Sequence, residues 1–266
     1  MLEFSCSRRD KSRVPILSAK EMDELAEELI ADYKPDLIKN PQPIDYEHFL
    51  QFYLEADLLY ETIARDGLTL GLTSFDHGLT KVYDLEKQEE KDIDVVEGTI
   101  ILDTRLKSVG QAGRLRFTAL HEAGHWWCHK EVYQKDRNQL SLFPEDNRPI
   151  IKCRSQSIEN FAYKRCDTSD DWMEYQADYM ASALAMPKTP FINTARWILK
   201  DRGITGNRVI LGDDILHDMF ALQSFPKYIA EVFGVSRKAA EIKLKNFGFI
   251  VEAKEANREV KQETLF

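Results

Sequence analysis

No stretch of this 266-residue chain is apolar for the roughly 18 or more uninterrupted residues that a membrane-spanning helix needs. Its opening, "MLEFSCSRRDKSRVPIL", lacks the apolar core of a secretion signal. A cytoplasmic protein with no membrane partner is therefore expected. Cysteine is scarce, and the four present, Cys6, Cys128, Cys153 and Cys166, form no Cys-x-x-Cys pair. That spacing argues against a thiolate zinc site, and reduced thiols are expected in place of a Cys153–Cys166 bridge. Positive charge is also short: 36 Lys and Arg stand against 45 Asp and Glu, for a formal net charge of -9. Such a balance argues against nucleic acid as a general partner and leaves only a local basic face for that role. Internal repeats and long low-complexity linkers are missing too. With 43% hydrophobic and 30% charged residues, the chain has the make-up of a globular protein. Its length suits one large domain, or one domain with an appendage.

What is present begins with "SAKEMDELAEELIADYKPDLI" (18–38), which predicts a helix. Ser18 and Glu21 have capping-box spacing, and Met22, Leu25, Ala26, Leu29 and Ile30 form an apolar stripe. Residues 46–63 read as a second helical or mixed segment. "LTLGLTSFD", "TKVYDL" and "GTIILDTRL" then carry β-branched and aromatic residues broken by Gly and Asp, which predicts a small sheet of hairpins. Helical texture returns over 113–132, while 134–170 is polar and reads as a long loop. "WMEYQADYMASALAM" predicts a helix ending before Pro187, and another follows over 190–201. Residues 226–250 read as two short helices around Gly234, with Ser236 capping the second. The expected organisation is an N-terminal region (1–97) belonging to the same domain and a core (98–200) holding the 134–170 loop. A helical segment (201–250), helix-turn-helix-like in pattern, and a charged tail (251–266) complete it.

The chemistry concentrates in "LRFTALHEAGHWWCH" (115–129). On a helix, His121 and His125 lie one turn apart on one face, about 6 Å from each other, and can direct both imidazoles at one ion. Glu122 is turned about 100° away, beside such an ion, where a general base for an activated water belongs. Nitrogen and oxygen ligands with an open position suit Zn2+. The bare pattern also arises by chance on surface helices. Ala123 and Gly124 permit a close neighbour, however, and Trp126 and Trp127 call for burial. His129 cannot be the third ligand, because eight residues of helix rise about 12 Å. It reads as a helix C-terminal residue or as a group touching a ligand. His48, His77 and His217 have no motif around them and read as structural or surface residues. Glu174 is the better third ligand. Asp178, four residues on, can accept the distal N–H of a ligand histidine and set its tautomer. The plain alternative is an amphipathic helix with two solvated acids. Ala177, Ala181 and Ala185 make a small-residue stripe for packing against Ala123 and Gly124.

Together, "RFTALHEAGHWWCH" and "EYQADYMASALAMP" resemble the paired motifs of the ImmA/IrrE metallopeptidase family. "GTIILDTRL" is similar to the strand before the family's first helix, and "FGVSRKAAEIKLKNFGFI" to its C-terminal segment. The resemblance covers roughly residues 98–250. It implies an α+β, zincin-like metallopeptidase domain whose small β-sheet packs on the His-Glu-x-x-His helix, followed by a C-terminal helical segment. It also implies a zinc-dependent, gluzincin-type endopeptidase whose protein substrate is a helix-turn-helix transcriptional repressor. His121, His125 and Glu174 match the family's metal ligands, and Glu122 matches its general base. The 134–170 segment departs from the shorter members and bears on the substrate cleft. Arg154, Tyr175 and Tyr179 are candidates for a second donor to the oxyanion. Two other readings remain: an inactive, antitoxin-like peptidase fold that binds a partner, and a DNA-binding regulator working through Arg237, Lys238, Lys243 and Lys245 in 226–250.

Overall fold

The chain's apolar residues are gathered mainly into one cluster that draws on segments from Leu17 to Ile250. The computed structural model describes residues 1–133, 150–154, 166–212 and 214–253, with 150–154 described by their backbone. The arrangement is mixed α and β. A four-stranded sheet has the order β1-β5-β2-β6, from β1 (Asp57–Glu61), β2 (Thr69–Ser74), β5 (Thr99–Asp103) and β6 (Ile150–Arg154). β1 runs parallel to β5, whereas β2 is antiparallel to both β5 and β6. A separate hairpin joins β3 (Gly78–Asp84) to β4 (Glu89–Val95). Side chains alternate across a strand. Ile100 and Leu102 of β5 accordingly enter the main core, while Ile101 turns to a second cluster with Ile63, Leu72 and Val95.

The first helix, Ala19–Tyr33, starts at Ser18 with the complete capping box to Glu21. It is shorter than the 18–38 expectation. Pro35 disfavours helical geometry at the residue before it, and Lys34 leaves the helix at φ -155. A separate short helix follows at Asp36–Lys39. The mixed reading of 46–63 resolves into a short helical stretch through Tyr53 and then β1. The expected loop over 134–170 needs correction in part. Ile150–Arg154 is a strand on β2, and Ser169 already begins a helix. The rest of that loop lies outside the described residues, as does the tail from residue 254.

The His121 helix spans Ala112–Tyr133 and is buried at every residue from Thr118 to His129. It therefore has no solvent-facing stripe, and its polar side chains must find partners inside. The indoles of Trp126 and Trp127 donate to the carbonyls of Leu54 and Leu2. The Glu174 helix, Ser169–Ala185, starts with a second capping box between Thr168 and Asp171. The two helices meet at Gly124, where a Cβ would lie 3.2 Å from the Cα of Ala177 and 3.3 Å from its carbonyl oxygen.

Helices Phe225–Phe233 and Arg237–Asn246 form the C-terminal pair. Gly234 turns between them at φ 62, in the left-handed region that glycine favours, and Ser236 caps the second. The pair packs on the start of the His121 helix, since a Cβ at Gly113 would come within 2.9 Å of the Ser236 backbone nitrogen. The 201–250 segment is not purely helical, because Val209–Leu211 pairs in parallel with Ile250–Glu252. Of the basic residues singled out in it, Arg237 is exposed. Lys243 is buried against the Ser182 carbonyl, and Lys238 and Lys245 are paired with Glu241.

Candidate metal centre

His121 and His125 project from consecutive turns of their helix with Nε2 atoms 3.0 Å apart. The Glu174 carboxylate faces them from the second helix, 3.7 Å from Nε2 of His121 and 3.4 Å from Nε2 of His125. One ligand atom from each of the three residues lies within 4.8 Å of the others. Both imidazoles are fully buried, whereas the Glu174 side chain is 18% exposed, so the cluster opens towards solvent on the Glu174 side.

The donor chemistry fits a metal ion. Asp178 Oδ1 lies 2.8 Å from His121 Nδ1. An ionised carboxylate only accepts, so that nitrogen carries the hydrogen and the His121 Nε2 lone pair points inward. It meets a second imidazole nitrogen and a carboxylate. The Nε2–Nε2 distance is close to the roughly 3.3 Å edge that follows from tetrahedral coordination at 2.0–2.1 Å. The three side chains could hold a metal ion, and converging electron-rich groups are relieved by a cation.

Glu122 points elsewhere, to strand β2. Its Oε2 accepts a hydrogen bond from the Thr73 hydroxyl at 2.5 Å. Its carboxylate occupies the place that a side chain at position 71 would fill. A Cβ on Gly71 would come 2.1 Å from Oε1 and 2.7 Å from the carboxyl carbon. Gly71 and Thr73 are two residues apart and so share one face of the strand. Glu122 Oε1 is buried and has no hydrogen-bond partner among the described residues. Leaving such an acceptor dry costs about 1–3 kcal/mol, which a fold tolerates where the group has another use. Burial raises the Glu122 pKa to about 7; nearby Glu174 and Asp178 add to this, and His121 and the Thr73 hydrogen bond oppose it. A cation between the histidines would bring it down again. Burial holds His125 below its ordinary pKa, with Glu174 partly opposing the shift.

All five residues singled out in the sequence, His121, Glu122, His125, Glu174 and Asp178, come together here. His129 is not a helix-end bystander: its Nδ1 lies 3.0 Å from His125 Nδ1 and its Nε2 lies 2.9 Å from Gln176 Oε1. Sequence reasoning missed Gly71, Thr73 and Gln176. A glycine inside a strand does signal a close approach; nothing in the sequence marked the other two. Tyr179 is not brought to the centre, because its hydroxyl bonds Asp23 on another face of the helix. The Tyr175 ring packs with Trp172 and Tyr179. The Arg154 side chain lies outside the described residues. His48, His77 and His217 are exposed and are not part of the His121, His125 and Glu174 cluster. No protein-family model matches the chain, and no curated protein matches it either.

Proposed function

We propose that this chain is a zinc-dependent endopeptidase of gluzincin type, with a zincin-like fold, acting in the cytoplasm on a protein substrate. The resemblance to ImmA/IrrE proteins makes that substrate a helix-turn-helix transcriptional repressor and the role transcription regulation. The observation that carries the reading is the Glu122 carboxylate. One oxygen is pinned by Thr73, the other is buried with no hydrogen-bond partner among the described residues, and the carboxyl feels the charges of His121, Glu174 and Asp178. His121, His125 and Glu174 would hold the ion. When bound, zinc supplies Lewis acidity, making water a better acid and a peptide carbonyl a better electrophile.

The chain's own residues do the rest. Thr73 fixes the rotation of the Glu122 carboxyl, so Oε1 is the oxygen free to take a proton. Oε1 accepts that proton as the water oxygen forms its bond to the peptide carbon. It returns the proton to the amide nitrogen as the C–N bond breaks, so one carboxylate serves as base and then as acid. Asp178 holds His121 in the tautomer that presents Nε2 to the ion.

The test is Glu122→Gln, incubated with the helix-turn-helix repressor encoded nearest to this gene. The amide cannot accept the proton. Cleavage is expected to fall by about 10²–10⁴-fold, with metal content by elemental analysis unchanged. A variant that cleaves at the wild-type rate rejects the assignment of the base.

A further inference from the structure

The two ligand histidines are backed differently. His121 rests on a carboxylate, which only accepts, so its tautomer is settled by one contact. His125 rests on another imidazole, His129, through an Nδ1–Nδ1 contact of 3.0 Å. A neutral imidazole can present either a donor or a lone pair, so this contact alone leaves the direction of the hydrogen bond undecided.

The direction is decided two residues further away. Gln176 Nε2 donates to the backbone carbonyl of Pro15 at 2.5 Å. A carbonyl can only accept, so the amide nitrogen must face it, and turning the amide over would set two oxygens against each other. Gln176 Oε1 therefore faces His129 Nε2, at 2.9 Å. That contact needs a hydrogen on His129 Nε2. His129 Nδ1 is then a lone pair and must accept from His125 Nδ1. His125 Nε2 is left bare and directed at His121 and Glu174.

We propose that the Pro15 carbonyl, relayed through Gln176 and His129, fixes His125 in the tautomer that presents its Nε2 lone pair to the metal centre. Gln176 and His129 are thus positioning residues. His129 and Gln176 are almost fully buried and Pro15 is buried, so water does not compete for the relay. The carbonyl at its origin is held by a small N-terminal structure. Asp10 Oδ1 accepts from the backbone N–H groups of Ser12 and Val14, and Arg9 bridges to Pro15. Arg9 also pairs with Glu131 on the His121 helix at 2.7 Å, and the Asp10 carboxylate accepts from Ser169 at the start of the Glu174 helix. The N-terminal stretch is thereby tied to both helices that carry the ligands. The relay depends on the metal-centre reading only for the use made of the lone pair.

The experiment has a part that involves neither metal nor activity. Imidazole ¹⁵N shifts of the metal-free full chain should show His125 protonated on Nδ1 and His129 protonated on Nε2. The reverse tautomers overturn the relay. In the second part, zinc affinity is compared between His129→Leu, which has no acceptor for His125, and His129→Asn, which keeps one. The leucine variant is expected to lose about 10–100-fold in affinity, with most of that restored in the asparagine variant. Equal losses in both would make His129 a packing residue and overturn the proposal. A wild-type chain that shows the expected tautomers but binds no zinc would support the relay and reject the metal centre, so the two failures are distinct.

Discussion

The Glu174 helix borders two buried polar clusters, and only one has the character of a metal site. On one face, His121, His125 and Glu174 turn lone pairs and a carboxylate towards a common point. On another, Asp23 and Lys243 are 5% and 4% exposed, beside Tyr179 and Lys188 around a cavity of about 420 Å³. There the signs alternate. Burial raises the Asp23 pKa, which Lys243 partly offsets, and burial lowers the Lys243 pKa to about 8, which Asp23 partly offsets. Tyr179 bonds Asp23, and Lys243 donates to the Ser182 carbonyl at 3.2 Å. Both clusters have a buried carboxylate oxygen without a hydrogen bond among the described residues, Glu122 Oε1 in the first and Asp23 Oδ1 in the second. Burial of charge is therefore a poor marker of function. The useful marker is a set of potential ligand atoms from several residues converging on one point.

That contrast can be broken at Gly71. Gly71→Ala puts a methyl where the Glu122 carboxylate lies, and a fully buried side chain has nowhere to retreat. Cleavage should fall by about 10²-fold or more with zinc content preserved. Cleavage within threefold of wild type would show that the carboxylate does not need its present place.

A smaller effect concerns stability. The Glu122 pKa in the folded, metal-free chain is about 7, above its ordinary 4.5. A carboxyl raised in this way contributes stability that is complete below pH 4.5 and is lost as pH rises through 7. His125, held low, acts in the opposite sense, its contribution fading as pH falls. Comparing wild type with Glu122→Gln at each pH isolates the Glu122 part. In urea denaturation of the metal-free proteins, the glutamine variant should be more stable by about 1–3 kcal/mol at pH 8, and the gap should close towards pH 4.5. A gap independent of pH would mean that Glu122 is not a buried, ionising group.

The smallest effect on the metal centre belongs to the second cluster. Lys243→Met alone leaves the buried Asp23 with Lys188 but without Lys243 to offset its burial, and should cost about 1–3 kcal/mol. Asp23→Leu with Lys243→Met should bring stability back to within about 1 kcal/mol of wild type. Zinc affinity measured by competition should stay within about twofold in both. A tenfold loss in either would join the two clusters into one system.

Local chemistry was legible where the signal is local. Ser18 with Glu21, Gly234 and Ser236 marked helix boundaries that the chain uses. The 3.6-residue period placed both helices that carry the candidate ligands, and the group that could hold an ion is the expected His121, His125 and Glu174. What could not be read depends on contacts between distant segments. The β6 strand has only Ile150 and Ile151 as a faint local signal inside a polar stretch, and its place beside β2 is set by pairing; Val209–Leu211 likewise pairs with the distant Ile250–Glu252. The same holds at the centre. Thr73 belongs to a strand nearly fifty residues before Glu122, and nothing about Pro15 announces a link to His125.

The meeting of the two helices at Gly124 has a thermodynamic consequence. The candidate ligands are divided between them, two on one and one on the other. An ion held by all three would bind the assembled pair and not the separated chain, so its affinity would add to folding. The gain is about 4 kcal/mol when free metal stands at a thousand times its dissociation constant. A chelator would then act on this protein as a denaturant does, and its melting temperature would report the free metal around it.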